Sequence, residues 1–90
     1  MPAAVILLNV TGPKTSTVAE RIVDIPGVTE VYSVAGNFDL AVIARTKTNE
    51  ELADLVTEKI RATPGIIASQ TLIAFRTYSP KEVNALFDMN

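Results

Sequence analysis

Ninety residues with a net charge of −2 and a pI near 4.9 make one domain with a limited core, and that charge does not favour holding a polyanion by its backbone. Cysteine and histidine are both absent, which removes disulfides, thiolate metal sites, cysteine nucleophiles, the commonest general base and the usual pH switch. Hydrophobic residues make up 48% of the chain and charged ones only 20%, more apolar material than a lone domain of this size easily hides.

The apolar opening, Ala3 to Leu8, falls well short of the roughly 20 residues that span a bilayer. It also lacks the charged region and cleavage site of a signal peptide, so a soluble cytoplasmic protein with no membrane partner is expected. Ala4 to Val10 is an almost unbroken run of branched aliphatics and reads as a buried first strand ending at Thr11-Gly12-Pro13. From Thr15 the period changes. Thr17 and Glu20 have the spacing of a capping box, and Val18, Ile22 and Ile25 follow at near-helical intervals. This helix stops at Pro26-Gly27, because proline disfavours helix in the residue before it.

A second strand is expected over Val28–Ala35, a tight loop at Gly36-Asn37-Phe38, and a third strand over Asp39–Arg45. Gly36 supplies the positive φ that short antiparallel connections often need, and Asn37 tolerates it too. Leu40 to Ala44 is apolar without alternation, as suits a central strand. Asp39 therefore stands as a lone carboxylate at the mouth of an apolar strand, either as a turn residue or as a functional group. Thr48 and Glu51 repeat the capping box at the second helix, whose buried face is Leu52, Leu55, Val56 and Ile60. That helix ends at Pro64-Gly65. A long fourth strand is expected from Ile66 to about Tyr78, and Ser79-Pro80-Lys81 opens a short terminal helix through Leu86 and Phe87. The domain thus occupies 1–79, with 80–90 as a C-terminal helix or tail.

The two halves repeat one pattern: strand, capped helix, Pro-Gly, strand. That is a βαβ unit used twice, an α+β ferredoxin-like βαββαβ fold. Right-handed crossovers place both helices on one face of a four-stranded antiparallel sheet in the order 4-1-3-2. The central strands 1 and 3 are apolar on both faces, yet the helices cover only one. In strand 1, Ile6 and Leu8 oppose Val5 and Leu7; in strand 3, Leu40, Val42 and Ala44 oppose Ala41 and Ile43. A second copy packing sheet to sheet is the simplest cover, at the standard scale of about 800 Å² per partner.

Pro26-Gly27-Val28, Gly36-Asn37-Phe38-Asp39 and Ser69-Gln70-Thr71-Leu72 carry a resemblance over nearly the whole chain. In this order of elements they look like the ligand-sensing (RAM) domain of the Lrp/AsnC transcription regulators. Full-length members carry a helix-turn-helix before the first strand, so this chain resembles the stand-alone form. The resemblance implies an amino-acid-sensing module of transcription regulation or amino-acid metabolism, a homodimer assembling into a ring of dimers, and a full-length regulator as a further partner. It places a free amino acid at Gly36, Asn37, Phe38 and Asp39, with Ser69 and Thr71 as second contributors. Many members carry an acidic residue where this chain has Asn37. Loop amides and hydroxyls can hold a carboxylate, and Asp39 can hold an ammonium.

Three other readings share the layout. An RNA-recognition fold would stack bases on aromatics of strands 1 and 3, where this chain has Ile6, Ala41 and Ile43. A small dimeric ferredoxin-like enzyme would use Asp39, Tyr32 and Arg45 as an acid–base group, but no histidine or cysteine supports it. An ACT-like regulatory domain would bind its amino acid at Thr11-Gly12-Pro13. The expectation is a non-enzyme without catalytic residues, metal or cofactor and without direct DNA binding. Tyr32, Phe75 and Tyr78 read as packing residues, and Glu30 as a guard against pairing of an edge strand.

Overall fold

The computed structural model describes residues 1–80. Strand β1 spans Ala3–Val10, and a 3₁₀ turn over Gly12–Lys14 leads into α1, Thr15–Val23. Strands β2, Val28–Ser33, and β3, Leu40–Arg45, form the hairpin. Helix α2 covers Asn49–Asp54 and continues as a π-helical stretch, Leu55–Ile60, before β4, Ile66–Ile73. The sheet runs β2-β3-β1-β4 with every neighbouring pair antiparallel, which is the expected order read from the other edge.

Several expected boundaries shift for local reasons. Thr17 does not cap α1. The helix begins at Thr15 with Lys14 at its cap position and no side-chain cap, because Pro13 has already started the turn before it. The second capping box does form: the Thr48 hydroxyl accepts the Glu51 N–H at 3.1 Å. Glu51 in turn accepts the N–H of Lys47 at 3.2 Å, one residue further back than usual. Strand β4 stops at Ile73 rather than near Tyr78. It pairs with β1 through Ile73 and Ala4, and the Ala74 N–H reaches Ala3, the first residue of β1, so there is no partner strand beyond. Beyond that point Phe75 is 96% exposed. The terminal helix expected through Leu86 and Phe87 lies outside the described residues.

The core sits between the sheet and the helices. Ile6, Leu8, Leu40, Val42 and Ala44 from the central strands meet Val18, Ile22, Leu52, Leu55 and Ile60, all buried. Residues directly opposite in antiparallel strands share a face. The open face therefore has two rows that cross all four strands, Glu30–Ile43–Val5–Leu72 and Tyr32–Ala41–Leu7–Gln70, with the pairs Ala3–Arg45 and Asn9–Ala68 at its ends. Val5, Leu7, Ala41 and Ile43 at its centre are only half-buried, with no layer of the described residues above them. The middles of the central strands are apolar on both faces, and the polar residues of the open face lie on the outer strands and at the ends of the central ones, at Asn9 and Arg45.

Candidate functional site

The β2–β3 connection is built around Gly36 and Asp39. Gly36 takes φ +118°, and no non-glycine residue among those described has a positive φ, so Asn37 does not share that task. Three hydrogen bonds fix Asp39. Its N–H donates to the Leu8 carbonyl at 2.9 Å, and its own carbonyl accepts the Val34 N–H at 3.0 Å. Its carboxylate Oδ2 accepts the Val10 N–H at 2.9 Å. Among the described residues the carboxylate has no other partner. The backbone bond engages Oδ2 and leaves Oδ1 without a hydrogen bond among the described residues. Asp39 and Phe38 are half-buried, whereas Gly36 and Asn37 are exposed.

Ser69 and Thr71 do not join this group within one chain. Ser69 stands in the row Ser33–Leu40–Leu8–Ser69 and Thr71 in the row Val31–Val42–Ile6–Thr71, both on the helix-covered face. Two strand spacings, about 10 Å, separate Ser69 from Leu40, the neighbour of Asp39. Thr71 instead lines a cavity of about 510 Å³ between α2 and β4, with Leu52, Val56 and Ile73. The sequence showed no sign of this groove, because its walls come from elements distant in the chain. A second cavity, about 410 Å³, lies on the other side of α2 among Gly27, Arg45, Lys47, Asp54 and Lys59.

The rival groupings come apart. Asp39 and Arg45 lie at opposite ends of the third strand, about 20 Å along it. Tyr32 donates its hydroxyl to Glu30 on the exposed outer strand, and that hydrogen bond and the Glu30 charge push the phenol above its usual pKa. The three therefore form no acid–base group. The Thr11–Pro13 loop is engaged in structure: the Thr11 N–H donates to the Gly65 carbonyl at 2.9 Å and the Lys14 N–H to the Thr11 carbonyl at 2.8 Å. Among the described residues no three His, Cys, Asp or Glu side chains group as metal ligands. None of their helices is long and apolar enough to cross a membrane.

The profile of the Lrp/AsnC ligand binding domain matches residues 3–83. The chain belongs to this family. The HTH-type transcriptional regulator FL11 of Pyrococcus horikoshii is 36% identical over 75 residues, covering 83% of this chain and 49% of the regulator. The chain thus spans about half the length of the curated relatives it matches. Among solved structures, TTHA0845 of Thermus thermophilus is 40% identical with a TM-score of 0.82, and the match covers 88% of this chain and 99% of that one. The feast or famine regulatory protein of M. tuberculosis, solved in complex with L-methionine, shares the fold at 24% identity and a TM-score of 0.73, over 90% of this chain and 55% of its own. The curated relatives matched by this Lrp/AsnC domain are named as transcriptional regulators.

Proposed function

We propose that this Lrp/AsnC domain is an amino-acid-responsive, self-associating module of transcription regulation. A free amino acid binds at the 36–39 loop, its ammonium on Asp39 and its carboxylate on the amides around Gly36 and Asn37. The open sheet faces of two copies pack together, and the dimers join into a ring in the cytoplasm. Ser69 and Thr71 reach the ligand only from a neighbouring copy, since their own chain holds them on another face. A full-length relative is the further partner through which the module acts.

The observation that carries this reading is the Asp39 carboxylate, fixed by the Val10 N–H and carrying no other partner among the described residues. The fold shared with a regulator that holds L-methionine supports the choice of ligand class. Calorimetric titration against the common amino acids, L-methionine first, tests it. Asp39→Asn keeps an acceptor for Val10 but removes the charge, so affinity should fall about 10- to 100-fold, the weight of a charge-assisted bond. Equal affinity in the variant, or no binding by any amino acid, rejects the proposal.

A further inference from the structure

Two consecutive amides at the end of β1 hold two separate loops. The Val10 N–H is bonded by a side chain 29 positions away, at 2.9 Å, and not by a strand carbonyl. On the β3 side of β1 the ladder ends at Leu8–Leu40, so the Val10 N–H, two residues further on, lies past the last paired residue of β3. The next N–H, that of Thr11, donates to the Gly65 carbonyl at 2.9 Å, in the turn that leads into β4. Successive N–H groups of an extended chain point to opposite sides. One therefore holds the β2–β3 loop and the other the start of the outer strand. Gly65 is itself confined. Its φ is +98°, and a Cβ there would lie 2.8 Å from Val18 Cγ2, so this turn packs closely against α1.

We propose that the Asp39 carboxylate is a latch that couples the β2–β3 loop, through Val10 and Thr11, to the Gly65 turn and the outer strand β4. A cation that engages Asp39 then changes the hold on Val10, and the next peptide transmits that change to Gly65. Asp39 acts here as a positioning residue for elements on the far side of β1. The ligand arm of this inference rests on the amino-acid reading above, whereas the latch stands on the hydrogen bonds alone.

Amide hydrogen exchange of the whole chain, read by NMR, tests it. Asp39→Ala should speed exchange at Val10 by about ten-fold or more, as expected for loss of a charge-assisted bond, and should also speed exchange at Thr11 and Ile66. Asp39→Asn, which keeps an acceptor, should stay close to wild type at all three. Ile6 and Leu8 in the core report whether the fold is intact. If Asp39→Ala loses their protection, Asp39→Glu replaces it: the displaced carboxylate should alter Val10 and Thr11 together. A change confined to Val10, with Thr11 and Ile66 as in wild type, overturns the coupling, as does an Asn variant no different from the Ala variant. With L-methionine added, both amides should change rate in wild type. Binding seen by calorimetry with both rates unmoved also overturns the coupling. Absence of any binding counts against the amino-acid reading and leaves the ligand-free comparison to decide the latch.

Discussion

Gly36 and Gly65 both need a positive φ, yet the space around them differs. Nothing lies within 4 Å of a Cβ built on Gly36, so a side chain there meets only backbone strain. Gly36→Ala should cost about 1–2 kcal/mol, the usual penalty for a side chain in that region. Gly65→Ala adds the contact with Val18 Cγ2 and should cost more, with α1 displaced. Urea denaturation of both variants checks the ranking, and a Gly65 variant as stable as the Gly36 one contradicts it. The residue scale also explains why Asp39 is hard to read from sequence. A carboxylate at a loop end serves a turn or a ligand equally well. Its bond to Val10 shows a structural task, and that task engages only one of the two carboxylate oxygens.

At the scale of the element, two similar capping patterns have different outcomes. Thr48 stands at φ −131° and ψ 160° with its hydroxyl on the Glu51 N–H, the geometry of a working cap. Thr17 lies inside α1, where the preceding 3₁₀ turn has already supplied the helix start. Thr48→Ala should therefore cost about 1 kcal/mol, whereas Thr17→Ala should stay within about 0.5 kcal/mol. Thermal melts of the two proteins under one buffer decide it, and a larger loss at Thr17 would refute the assignment. The second helix also changes character along its length. From Leu55 to Ile60 it is π-helical, with the Arg61 N–H on the Val56 carbonyl at 3.4 Å. Leu55 and Ile60 are both buried in that wider register, so the inserted residue keeps both on the core side.

For the whole molecule the open sheet face is decisive. Val5, Leu7, Ala41 and Ile43 form a contiguous apolar centre with Glu30, Tyr32 and Gln70 toward its rim. A charge there should abolish association of two copies through that face. Ile43→Glu would also set a carboxylate directly opposite Glu30, which destabilises the strand pair itself. Ile43→Lys faces the same Glu30 with the opposite sign, so this variant should remain folded while losing the dimer. Sedimentation at micromolar concentration, with circular dichroism as the fold control, reads both. A monomeric wild type, or a Lys variant with the wild-type mass, would sink the sheet-to-sheet dimer.

Periodicity and punctuation determined the elements by themselves. Aliphatic runs at Ala4–Val10 and Leu40–Ala44, the Pro-Gly stops after both helices and the repeated βαβ pattern are local properties of the chain, and they sufficed for the sheet order. The facing of the central strands was legible for the same reason, since side chains alternate whatever the partner. Only tertiary structure could decide what depends on a second segment. The length of β4 follows from where β1 begins, so Ala74 has a partner and the exposed Phe75 lies past the end of the pairing strand. The π-helical stretch answers the burial of Leu55 and Ile60 and not any propensity of the residues that form it. Ser69 and Thr71, which the resemblance makes second contributors to the ligand of Asp39, stand apart from it because strand register sets both on the helix side, two strands away. The bond from Val10 to Asp39 joins residues 29 positions apart. It exists because β1 runs two residues past its last pairing with β3, at Leu8–Leu40, and the loop before β3 brings a carboxylate within reach of the amide left over.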